Sequence, residues 1–150
     1  MVEQTLIEQY INEHGEFIAT PVGTSMWPML RHRRDTVYLV KYTGGLKKYD
    51  LPVYKRADGT LVMHRCLEVR PDGYAMCGDH QCQKEYGIQD DQIIAVAKGF
   101  YRDEKYISNE NFLYKCYYKL WCSNLRLRGY ILSVMHKFVS FEKIRNFDVK

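Results

Sequence analysis

The sequence predicts a mainly β, α+β fold, with bent antiparallel sheets, a short N-terminal helix and a C-terminal helical hairpin. Three observations carry this. Extended runs rich in Val, Ile, Thr and Tyr recur between residues 36 and 100, with turns rather than helices between them. Two of the joints are Asp58-Gly59 and Asp72-Gly73, a dipeptide that favours tight hairpins. The pattern then changes: residues 109–138 hold no proline, one glycine and apolar residues at helical intervals. Successive hairpins without intervening helices build antiparallel sheet or a small barrel.

Each element follows in order. Leu6, Ile7, Tyr10 and Ile11 recur at helical spacing among Glu3, Glu8 and Glu13, and Gly15 is a natural stop, so a helix ends near His14. Residues 17–22 read as a short extended segment leading into a turn, GTSMWPML, at residues 23–30. Strands are expected over 36–40, closed by Thr43-Gly44-Gly45, then over 51–55, 60–69, 74–77 and 93–100. Residues 60–69 read as one continuous strand. Residues 103–111 read as a linker, separating a β domain at 1–106 from a basic, aromatic-rich helical extension at 107–150. In that extension Phe112, Leu113, Cys116, Tyr117, Leu120 and Trp121 predict two helical segments, broken near Gly129.

At 150 residues and 46% hydrophobic, the chain can bury one sizeable core. Its net charge of +4 is uneven: residues 101–150 carry 10 Lys/Arg against 5 Asp/Glu, and residues 1–100 carry 12 against 13. The N-terminus has acidic residues where a secretion signal needs basic ones followed by an apolar run. No stretch reaches the roughly 20 apolar residues of a membrane span. The expectation is a cytoplasmic protein, with peripheral attachment at the inner face of the membrane as an addition. Five cysteines form an odd set and read as reduced thiols. Cys77, His80 and Cys82 have the look of zinc ligands, but no second ligand pair accompanies them, so neither a metal nor another cofactor is expected.

The chemistry-bearing residues begin at Ser25. A serine hydroxyl is a poor nucleophile at neutral pH and needs a general base within hydrogen-bond reach. His64, in the middle of LVMHRC, stands where a strand would place an apolar residue or Thr, and is the best candidate base. Asp79, in Cys77-Gly78-Asp79-His80, is a candidate to orient the His64 ring as the third member of a triad, with ordinary turn chemistry as the alternative. His80 is the rival base. His14, His32 and His136 are assigned solvent or packing roles.

These residues carry a resemblance. GTSMWPML followed by RHRRDTVYLV resembles the nucleophile motif of type I signal peptidases, Gly-x-Ser-Met-x-Pro-Thr-Leu, Gly-Asp or an equivalent, then a strand. LVMHRCLEV resembles the second motif, where bacterial members have Lys before Arg and relatives in the endoplasmic reticulum and archaea have His. MCGDHQCQ resembles the third motif, Gly-Asp-Asn, and IIAVAKGFYR the strand that follows it. Order and spacing agree across roughly residues 17–102. The resemblance implies the coiled antiparallel sheets shared with LexA-like self-cleaving repressors. It implies that Ser25 is the nucleophile, His64 the general base and Asp79 a supporting carboxylate, with Gly23, Thr24 and Met26 around the substrate and oxyanion. Pro28 would shape the turn with Met26. Met29 departs from the Thr of Pro-Thr-Leu, and His80 from the Asn of Gly-Asp-Asn.

The function expected is therefore a serine endopeptidase that cleaves a peptide or leader-type precursor through an acyl-enzyme. The alternative is a non-catalytic module on the same fold that binds a peptide or a membrane surface. A repressor would need a helix-turn-helix ahead of Gly23, and about 20 residues are too few for one. Lys115, Lys119, Arg126, Arg128 and Lys137 lie in residues 112–138 with no acidic residue among them. They read either as a solvated basic face packed on the sheet or as an interfacial surface for anionic lipid. No nucleic-acid partner is expected, because no recognised binding module accompanies them.

Overall fold

A computed structural model describes the backbone of residues 2–145 and the side chains of residues 6–137. Residues 146–150 of the expected extension, and the side chain of residue 138, lie outside the described residues. The fold is mainly β with antiparallel sheets, an α+β arrangement, and three α-helices among the described residues.

Helix α1 (Val2–His14) ends where its periodicity stops: the Gly15 N–H donates to the Ile11 carbonyl and Gly15 adopts a φ of 77°. Strand β1 (Glu16–Ala19) pairs with β2 (Thr36–Lys41), and between them runs the loop containing GTSMWPML. Strands β3 (Pro52–Lys55) and β4 (Leu61–Met63) form the hairpin announced by Asp58-Gly59, with the Asp58 carboxylate accepting the Thr60 N–H. The ten-residue β8 (Ile93–Arg102) is the spine of this six-stranded sheet. It pairs with β2 on one side, and with β3 and then β9 (Lys105–Ser108) on the other.

The second sheet has three strands, β5 (Arg65–Arg70), β6 (Gly73–Cys77) and β7 (Glu85–Ile88). The strand expected over 60–69 is thus two strands in two different sheets. The chain leaves one sheet and enters the other at His64, the single residue between β4 and β5. Sequence periodicity misses this, because both halves are extended and only their pairing partners differ.

The expected linker at 103–111 is also corrected. Asp103 and Glu104, at φ values of 48° and 66°, make a tight turn, and β9 runs back along β8. The expected boundary between 106 and 107 falls inside β9.

Two helices follow, α2 (Phe112–Ser123) and α3 (Leu125–Arg145), and their break lies at Asn124 rather than Gly129. The Asn124 side chain accepts the N–H groups of Arg126 and Leu127, the action of a helix N-cap. Gly129 sits inside α3, where a Cβ would come within 3.1 Å of the Cys82 sulfur. The glycine serves a close approach there, not a break.

The larger core joins Ile11 of α1, Val37 and Leu39 of β2, Val53 of β3, Ala95 and Phe100 of β8, and Tyr114 of α2. Met26, Met29 and Leu30 belong to it as well, so the GTSMWPML loop is held down by three buried side chains.

Candidate active site

Ser25 is presented by a turn with a fixed base. Around it the Trp27 N–H donates to the Thr24 carbonyl and the Leu30 N–H to the Met26 carbonyl, and the Trp27–Pro28 peptide bond is cis. The start of the loop is pinned by His32, whose Nδ1 accepts the Gly23 N–H at 2.7 Å. Its far end is clamped by Asp35, fully buried, which accepts Arg31 Nε at 2.8 Å and Arg102 Nη2 at 2.8 Å. Arg102 reaches back from β8 to the Met29 carbonyl. His32, expected to be a solvent or packing residue, therefore helps to shape the turn.

A cavity of about 260 Å³ opens beside this turn, and both Ser25 and His64 line it. Gly23 and Met26 contribute to the wall, as do Leu61, Val62 and Met63 of β4. Thr24 is exposed and is not among the lining residues. Among the described residues, no hydrogen bond involves the Ser25 hydroxyl or its backbone N–H, and Ser25 and His64 share the cavity without being hydrogen-bonded to each other; hydrogen bonds of catalytic groups commonly tighten only with substrate in place.

His64 is only 3% exposed, and its ring is held by a chain of three residues. Tyr54 of β3 lies 3.1 Å from His64 Nδ1, and its hydroxyl donates to Glu85 Oε2 at 2.7 Å. Glu85 in turn accepts two bonds from Arg56, Nε at 2.8 Å and Nη2 at 2.6 Å. The Arg56 pairing, ahead of the bond from Tyr54, holds the Glu85 carboxyl below the ordinary range, so it acts only as an acceptor. The single Tyr54 proton is thereby committed to Glu85. The contact with His64 then requires an Nδ1–H donating to the Tyr54 oxygen, which leaves the Nε2 lone pair unprotonated. Among the described residues, Nε2 has no partner. Burial, followed by the nearby Arg56 charge, pushes the His64 pKa down to about 4. The ring is neutral at pH 7.

Asp79 does something other than the expected orienting of His64. It is fully buried, and its two oxygens accept Arg65 Nε at 3.0 Å and Arg65 Nη2 at 2.8 Å, with the Tyr117 hydroxyl at 3.3 Å. Arg65 is buried too, donates to the Tyr49 carbonyl and the Tyr114 hydroxyl, and lies over the Tyr114 and Tyr118 rings. This pair joins the residue after His64 to the turn that carries Asp79. The turn touches the nucleophile directly: the His80 N–H donates to the Ser25 carbonyl at 2.8 Å. A Cβ on Gly78 would lie 2.5 Å from that same oxygen. Asp79 supports the site by fixing where the turn sits.

The rival base is displaced. The His80 ring lies tilted against Trp27, with ring centroids 5.1 Å apart, and its Nε2 lies 2.8 Å from that of His136 on α3, so it faces the helix rather than the cavity. The zinc-like trio does not converge either, since Cys82 is exposed and the Cys77 sulfur accepts Arg128 Nη2 at 2.9 Å. Among the described residues no group of three or more metal-ligating side chains is assembled. Tyr54 and Glu85 are the site residues that sequence reasoning missed. Their only sequence signal was a tyrosine and a glutamate in otherwise ordinary strand contexts.

Comparison with known proteins finds no counterpart: no family model, no curated protein and no solved structure matches the chain.

Proposed function

We propose that this chain is a serine endopeptidase of the signal peptidase-like type, working through Ser25 and His64 on a peptide or leader-type precursor. The observation that carries the reading is the shared cavity: Ser25 lines it beside a neutral histidine whose Nε2 is left free by the Tyr54–Glu85 chain. In this mechanism the Ser25 oxygen attacks a peptide carbonyl while its proton passes to His64 Nε2. The C–N bond breaks as the imidazolium returns that proton to the departing amine, leaving an ester on Ser25. Water, deprotonated by His64, then hydrolyses the ester. Burial disfavours the imidazolium, and the Tyr54 oxygen backed by the Glu85 carboxylate is placed to offset that. The Ser25 N–H is the candidate oxyanion donor, a contact worth about 3 kcal/mol in the transition state.

The substrate reading draws on β4, an edge strand along the cavity wall whose free backbone groups suit an extended peptide. The order of the three motifs and their convergence on one turn support the kinship with signal peptidases and LexA-like proteins. Five free thiols suit a reducing, cytoplasmic setting. The test is cleavage of a leader-peptide panel read by mass spectrometry, with Ser25→Ala and His64→Ala as controls. Turnover by the wild type that both substitutions abolish is the expected result. Turnover that survives Ser25→Ala overturns the mechanism, and a wild type inert on every peptide yet binding some of them favours the non-catalytic module.

A further inference from the structure

Helix α2 is apolar on two sides, and only one of them is used by the fold. Its inner side carries Tyr114, Tyr117 and Trp121, which engage Arg65 and Asp79. At 100° per residue, Leu113 and Leu120 fall almost in line with each other, on the flank of that inner side next to Tyr117, and Phe112 lies further round. Each of the three is 76% exposed. The same division recurs in α3. Arg128 and Leu132 are buried inward, and Arg128 is spent on the Cys77 sulfur and the Gln81 carbonyl. Leu127 and Tyr130 point the other way, 55% and 70% exposed. Five large apolar side chains on two consecutive helices thus face solvent.

The charges beside them have one sign. Lys119, Arg126 and Lys137 are exposed and flank the apolar residues, and residues 112–137 contain no Asp or Glu. Glu110, just before α2, pairs with Lys115, and Glu68 of β5, which lines a cavity with Arg126, is paired with Lys84 and Arg70. Arg128, counted in the sequence as part of a solvated basic face, is removed from it by burial.

We propose that the outward faces of α2 and α3 are a docking surface for an anionic lipid membrane. Apolar side chains entering the acyl boundary while cations at their margin meet lipid headgroups is the arrangement an interfacial helix needs. Charge argues for lipid over a second copy of this chain. Two such faces brought together would oppose cations with no carboxylate to pair them, whereas anionic headgroups neutralise them. Among the described residues no helix is long and apolar enough to cross a membrane, so the attachment is to one surface.

The experiment is vesicle co-sedimentation of the full chain, on phosphatidylcholine alone and on phosphatidylcholine mixed with phosphatidylglycerol. Light scattering measures its mass in solution, and circular dichroism verifies the fold of each variant. Binding to the mixed vesicles and not to the neutral ones is expected. The triple substitution Lys119→Glu, Arg126→Glu and Lys137→Glu should weaken it at least about tenfold. Leu113→Ser with Leu120→Ser should also weaken it while leaving the inner face intact. Absence of binding by the folded wild type overturns the proposal, as does binding indifferent to these substitutions. A dimer that Leu120→Glu converts to a monomer would instead make the face a contact between copies. None of these readouts depends on peptidase activity.

Discussion

Replacing Asp79 by Asn separates the two roles a carboxylate in this position could have. Asp79 and Arg65 are both fully buried, and their side chains meet through two hydrogen bonds. Asparagine keeps the shape and one acceptor but removes the charge, leaving the Arg65 guanidinium buried without a counterion. Breaking a buried pair from one side costs about 3–5 kcal/mol. Arg65 keeps its bonds to Tyr49 and Tyr114 and its place over two rings, so the lower end, about 3 kcal/mol, is expected. In a chain of this size that is a fall in Tm of about 6–12 °C. Urea and thermal unfolding measure it, and the double substitution Arg65→Met with Asp79→Leu should recover part of the loss. A side-chain NMR titration of His64 is the second readout. Asp79 touches Arg65 and Tyr117 rather than His64 and acts on the ring only through its charge, the smallest of the causes, so the His64 midpoint should fall only slightly. An Asp79→Asn protein as stable as the wild type, with a His64 midpoint displaced by a full unit or more, would refute the reasoning and restore Asp79 as a direct partner of the base.

Two further predictions follow from the same geometry. His64 should titrate near pH 4, higher in Arg56→Gln and lower in Glu85→Gln, because the Arg56 charge lowers its pKa and the Glu85 charge raises it. The unfolded chain takes up this proton near pH 6.5, so stability that is complete above that value is lost as pH falls toward 4, by up to about 3 kcal/mol. His64→Gln should flatten that part of the urea-unfolding pH profile, and an unchanged profile would show that the ring is not buried neutral. Gly78→Ala places a methyl group 2.5 Å from the Ser25 carbonyl oxygen, a backbone atom that cannot rotate away. It should cost about 1–3 kcal/mol by urea unfolding; a neutral effect would mean that the turn and the loop are not in contact.

What could be read from residues in order was mostly local. Asp-Gly turns, β-branched runs and the Gly15 stop identified the α+β class, the end of α1 and both hairpins, because each of these is decided by neighbours within a few positions. The candidate nucleophile and base could be singled out for the same reason: a Ser in a Gly-to-Pro turn and a His in the middle of an extended run are out of place where they stand. The pairing of strands was not legible. The passage from one sheet to the other at His64 depends on which strand lies alongside, and so does the existence of β9. Nor could the partner of Asp79 be read. A carboxylate selects its partner by distance and burial, and Arg65, fourteen positions away, is brought to it only by β5 pairing with β6. Tyr54 and Glu85, thirty-one positions apart, stand on strands of the two different sheets, and only the packing of those sheets brings them together behind His64. The chemistry of each side chain was thus written in the chain itself, and tertiary structure alone decided which of them face one another, because long-range pairing and the exclusion of water have no local signature.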